Sequence, residues 1–130
     1  MVFGPVPADP TARFRVLIVD DHDGFRDVAR RVLGTVRFDV VGEAADGASA
    51  LRLTGELRPD VVLLDVQLPD ADGFAVAREL AAGPAPARVV LVSSRSGAEY
   101  GGLLERSGAC GFISKPDLTS EGLLGMLAGC

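Results

Sequence analysis

At 130 residues the chain is one domain's worth of sequence, long enough for a single covered core. Its 48% hydrophobic and 24% charged residues fit a globular class rather than a disordered one, and a net charge of −5 excludes a phosphate-backbone binder, which needs a basic surface. No apolar run approaches the roughly 20 residues of a membrane span, and two cysteines are too few for a disulfide framework, so a reducing cytoplasm is the expected compartment.

Residues 1–12 carry Pro5, Pro7 and Pro10 without a basic start, and read as a flexible tail rather than a signal peptide. One domain is expected over 13–130. From Phe14 onward, strand and helix patterns alternate. Val16 to Val19 is a continuous apolar run, followed by a helical stripe of Phe25, Val28, Ala29, Val32 and Leu33. Phe38 to Val41 gives a weaker strand and Val61 to Leu64 a strong one. Phe74, Ala77, Leu80 and Ala81 form the next stripe, before the run Val89 to Val92. A helix over 97–107 is suspect, because Gly101 and Gly102 in its middle each cost about 1 kcal/mol relative to alanine. Cys110 to Ile113 is a short last strand, and Leu123, Leu124 and Leu127 a last stripe. Continuous rather than alternating hydrophobicity marks strands buried on both faces, so a doubly wound α/β domain of five strands and five helices is predicted. Cys110 reads as a small buried hydrophobe and Cys130 as a thiol exposed enough to cross-link on oxidation.

Polar residues cluster where the strands end. Asp20-Asp21 closes the first, Asp65 the third, Ser93 the fourth, and Lys115-Pro116 the fifth. In a parallel sheet these ends converge on one edge, where ligands bind. Two carboxylates about 4 Å apart repel by on the order of 4 kcal/mol at an effective dielectric near 20, so folding demands raised pKa values or a cation. Oxygen-only ligands favour magnesium or manganese over zinc. Taken singly, each residue has a plainer reading: a helix cap for the Asp pair, a strand-end serine for Ser93, a solvated surface lysine for Lys115. Asp72 is the expected cap of the third helix.

The stretch Leu63-Leu64-Asp65-Val66-Gln67-Leu68-Pro69-Asp70-Ala71-Asp72-Gly73, with Asp20-Asp21, Ser93 and Lys115-Pro116, resembles the receiver domain of two-component response regulators. The resemblance covers Phe14 to the end. It implies a flavodoxin-like three-layer sandwich with parallel strand order 2-1-3-4-5. It implies that Asp65 accepts a phosphoryl group from a sensor histidine kinase or phosphotransfer protein. Mg2+ (or Mn2+) would be held by Asp21, Asp65 and the Gln67 backbone carbonyl, with Asp20 assisting through water. Ser93 and Lys115 would contact phosphoryl oxygens, and the Lys115–Pro116 bond would be cis. Ser93 and Phe112 would form the switch, Phe112 standing where the family often has tyrosine; a plain core phenylalanine is the other reading. Arg95 and Gln67 would flank the path of attacking water, and His22 would be a loop residue with little influence. The altered face would comprise the fourth helix, fifth strand and fifth helix, offered to a downstream protein or output domain. The chain would be a monomer or a phosphorylation-dependent dimer, with no nucleic-acid or membrane contact of its own. It would not be an enzyme beyond its own phosphorylation and dephosphorylation.

Other readings carry contrary residues. A magnesium-dependent phosphatase of the haloacid-dehalogenase type needs a second aspartate two residues after the first, where Gln67 stands. A flavodoxin-type binder needs a Ser/Thr/Gly-rich loop after the first strand, where Asp20, Asp21 and Asp23 stand. A phosphorylation-independent receiver that only binds partners would leave the full acid, hydroxyl and lysine set without a purpose.

Overall fold

A computed structural model describes residues 13–84 and 87–130. The tail expected over 1–12 lies outside the described residues. Strands β1 (Phe14–Val19), β2 (Phe38–Ala44), β3 (Val61–Asp65), β4 (Arg88–Ser93) and β5 (Gly111–Ser114) alternate with helices. These are α1 (Asp23–Val32), α2 (Gly47–Leu57), α3 (Gly73–Ala82), α4 (Leu103–Arg106) and α5 (Ser120–Ala128). All strand pairs are parallel, in the order β2-β1-β3-β4-β5.

Successive strand side chains point to opposite faces, so each apolar run feeds two cores. Val16, Ile18, Leu63, Val90 and Val92 pack with Ala29 of α1, with Leu33 just past its end, and with Leu123 and Leu127 of α5. Leu17, Val19, Val62, Leu64, Val89 and Leu91 pack with Ala50 of α2 and Phe74, Ala77 and Leu80 of α3. Each fully buried leucine contributes about 1.5–3 kcal/mol. The sheet edge explains the weaker signal of β2: one side is unpaired, and Asp39 and Glu43 interrupt the apolar run.

Side chains fix the helix starts. Asp46 caps α2 by accepting from the Ser49 amide, and Asp70 reaches across to accept from the amides of Gly47 and Ala48 at 2.7 and 3.1 Å. Asp72 caps α3 through the Phe74 amide, as its sequence position predicts. The suspect fourth helix is short. A 3-10 turn over Gly97–Glu99 precedes it, Gly101 has φ +53, and only Leu103–Arg106 is α-helical. Glycine tolerates that left-handed backbone, and its presence there stops the helix from starting earlier.

Two sequence expectations are corrected here. The Lys115–Pro116 bond is not cis: no cis peptide occurs among the described residues. Lys115, Pro116 and Asp117 form a 3-10 turn, and proline suits its start because its φ is already set and no amide hydrogen is needed there. Cys110 and Cys130 are not independent thiols but a disulfide, with Cα atoms 5.5 Å apart. The reason is topological. α5 returns alongside the sheet and brings its end beside the start of β5.

Candidate functional site

The carboxyl ends of β1, β3, β4 and β5 bring Asp20, Asp65, Ser93 and Lys115 to one edge, as the strand-end pattern requires. Asp65 pairs with Val92 in the β3–β4 register, which sets Ser93 one residue beyond it. Asp20, Asp65 and Ser93 are all buried, whereas Asp21 is exposed.

Lys115 bridges the acids. Its Nζ lies 2.6 Å from Asp20 Oδ2 and donates to Asp65 Oδ2 at 3.1 Å. The first contact is an ion pair without an aligned hydrogen bond, since Asp20 Oδ2 has no hydrogen-bond partner. The ammonium also sits 4.6 Å above the Phe25 ring, a cation–π contact that helps hold it inside the edge. The Gln67 amide donates to the other Asp65 oxygen at 3.0 Å.

The Asp pair does not cap α1. His22 holds the N-cap position without a side-chain hydrogen bond to the helix. Its amide donates to Asp20 Oδ1 at 2.8 Å, while its ring Nδ1 lies 2.9 Å from Asp20 Oδ1 and 3.2 Å from Asp21 Oδ1. His22 therefore borders both acids more closely than a bystander loop residue. One ligand atom from each of Asp20, Asp21, His22 and Asp65 falls within 4.8 Å of the others.

The charges separate the carboxyls. Burial raises Asp65, Asp20 adds to that push, and the Gln67 amide and Lys115 only partly oppose it, so its pKa is raised. Burial also pushes Asp20 up, but Lys115 and the hydrogen bonds from His22 outweigh it, so its pKa is lowered. Burial lowers Lys115, yet the Asp20 contact and the charges of both acids win, and its pKa is raised. The pocket thus keeps one acid strongly ionised beside a more basic one.

Phe112 is half-buried, with its ring 5.8 Å from that of Tyr100. The Arg95 side chain is exposed, but its amide donates to Ser93 Oγ at 3.0 Å. Three contributors carried no sequence signal. Tyr100 meets Ser93 Oγ at 2.6 Å from a loop without periodicity. Arg26 donates to the Asp20 carbonyl at 2.6 Å while pairing with Asp23 and Glu43. Asp70 caps α2 from the β3–α3 loop. Each acts across separate elements, where local spacing is uninformative.

A doubly wound parallel sheet with acids and a lysine gathered at its carboxyl edge defines an α/β class that binds ligands at that edge. The response regulator receiver domain family model matches residues 16–126, and the chain belongs to that family. It is 37% identical over 102 residues to the response regulator GacA of Pseudomonas aeruginosa, covering 78% of this chain and 48% of that protein. It is 41% identical over 117 residues to a protein-glutamate methylesterase/protein-glutamine glutaminase of Myxococcus xanthus, covering 88% of this chain and 34% of that protein. The chain thus spans half or less of these relatives. Among solved structures it is similar to the signal receiver domain of NarL from Mycobacterium tuberculosis, with TM-score 0.78, 36% identity, and 92% and 96% of the two chains covered. The response regulator domain of Thermotoga maritima CheB aligns at TM-score 0.73 and 34% identity, covering 88% and 90%.

Proposed function

We propose that Asp65 is the phosphoacceptor of a two-component switch, charged from the phosphohistidine of a sensor histidine kinase or phosphotransfer protein. The observation that carries this reading is the gathering of Asp20, Asp21 and Asp65 at one edge with Lys115 reaching two of them. Three carboxylates against one ammonium leave a net charge of minus two, carried on oxygen donors. The residues therefore fit a hard divalent cation. Asp21, Asp65 and the Gln67 carbonyl would hold Mg2+ or Mn2+, with Asp20 assisting through water. When bound, such an ion offsets charge on the phosphoryl oxygens during transfer.

An Asp65 oxygen bonds to phosphorus as the donor's phosphorus–nitrogen bond breaks, and the released imidazole takes up a proton. Lys115 holds a phosphoryl oxygen with its compact charge. Ser93 donates its hydroxyl to another. The shift of Ser93 lets Phe112 turn inward, altering the face of α4, β5 and α5. That face then engages a downstream protein or a further domain. No catalysis beyond this self-modification is assigned to the chain.

Intact mass after incubation with acetyl phosphate and Mg2+ tests the reading. A gain of one phosphoryl group, absent without the metal and in Asp65→Ala, is the expected result. A wild-type chain that never gains mass with any phosphodonor would point to a phosphorylation-independent partner module.

A further inference from the structure

Ser93 has more partners than a phosphoryl contact alone requires. A serine hydroxyl offers one hydrogen and two lone pairs. The Arg95 amide fills one lone pair at 3.0 Å, and the Tyr100 hydroxyl lies 2.6 Å from the same oxygen. If the tyrosine donates, both lone pairs are filled and the single Ser93 hydrogen is left for a group arriving at Asp65. We propose that Tyr100 is a positioning residue: it donates to Ser93 Oγ, aims the serine hydrogen at the phosphoryl group, and carries the shift of Ser93 into the neighbouring aromatic rings. This rests on Asp65 being phosphorylated, as argued above.

The surroundings suit that task. Tyr100 follows a turn held by a reciprocal cap between Ser96 and Glu99, and its own amide donates to the Gly97 carbonyl at 3.1 Å. The Ser114 hydroxyl ties this loop to the end of β5 by donating to the Arg95 carbonyl at 3.2 Å. The ring lies between Phe74 of α3, at 5.3 Å and edge-on, and Phe112 of β5, at 5.8 Å. A displacement of the hydroxyl therefore moves a ring already packed against both α3 and β5. Its outer side borders an open hollow lined by Leu68, Ala71, Phe74 and Leu103, which leaves room for the ring to turn. Phe112 lacks a hydroxyl, so Tyr100 supplies the polar link between Ser93 and the aromatic group.

Tyr100 is the only tyrosine and the chain has no tryptophan, so its emission reports on this one ring. Beryllium fluoride with Mg2+, a stand-in for the phosphoryl group on Asp65, should change that emission in wild type and not in Asp65→Ala. Tyr100→Phe keeps the ring and removes the donor; it should slow phosphorylation by acetyl phosphate by about tenfold, the worth of one lost hydrogen bond. Ser93→Ala should slow it too, and the double variant should be no slower than Ser93→Ala alone. A merely structural role would lower the melting temperature of Tyr100→Phe and leave the two effects additive. Unchanged emission in the wild type, or a wild-type rate in Tyr100→Phe, would overturn the proposal while the mass gain on wild-type Asp65 still stood. Absence of that mass gain would remove the phosphoacceptor reading, and the tyrosine's role with it.

Discussion

Burial raises the Asp65 pKa from its ordinary value, and the charge of Asp20 adds to the push. A folded value above the unfolded one means that ionised Asp65 opposes folding at neutral pH, an effect relieved as pH falls through the folded value. Ionised Asp20 and Asp65, with oxygens within 4.8 Å of each other, repel by on the order of 3 kcal/mol at an effective dielectric near 20. Lys115, which contacts both acids, offsets part of this. Asp65→Asn should therefore raise the melting temperature of the metal-free protein by several degrees, read by thermal unfolding in chelator. A fall instead would mean that the Lys115 contact outweighs the repulsion. Lys115 runs the other way: its folded value is raised, so its stabilisation is complete below the ordinary lysine value and is lost as pH rises through the folded one. Denaturant unfolding of wild type should weaken on that alkaline side. Lys115→Met should be weaker at neutral pH and lack the alkaline decline.

Elements meet at the site only where backbone can approach closely. A Cβ on Gly73 would collide with the Asp65 carbonyl oxygen and lie 2.7 Å from Val66 Cα, so the start of α3 presses directly on the loop that leaves β3. Gly73→Ala should cost about 3 kcal/mol, as overpacking against immovable backbone does, and slow phosphorylation because the displaced atoms belong to Asp65. Urea unfolding and the acetyl phosphate reaction check the two parts. At α2, Asp70 accepts from two first-turn amides, which lower its pKa. Its stabilisation is present above the ordinary aspartate value and is lost as pH falls through the depressed one. Asp70→Ala should lower the melting temperature at neutral pH and shrink the difference between wild type and variant in acid. The existence of a helix at Asp72 and the weakness of one near Gly101 were both legible in sequence, because a cap and a glycine act locally. The bond from Asp70 to α2 was not, because it spans 23 positions.

For the molecule as a whole, the disulfide between Cys110 and Cys130 closes a loop with a sequence separation of 20. Chain-entropy arguments give such a crosslink about 3 kcal/mol. Adding reductant, or Cys130→Ser, should lower the melting temperature accordingly, while mass gain on Asp65 persists because the pair sits away from the carboxyl edge of the sheet. Equal melting curves with and without reductant would show that the crosslink does not form in solution.

Local pattern determined much of this protein. Continuous apolar runs required buried parallel strands, and the acids, serine and lysine at their ends marked the edge where a site had to be. Periodicity and strand-end position depend on near neighbours in sequence, so they can be read there. The partners of those residues were decided only by the fold. Whether Asp20 faces Lys115 or caps a helix, whether Tyr100 reaches Ser93, whether Cys110 meets Cys130, and whether Pro116 follows a trans bond depend on elements brought together from distant positions. Those contacts are set by sheet order and helix packing, which act across the sequence and leave no local signal in it.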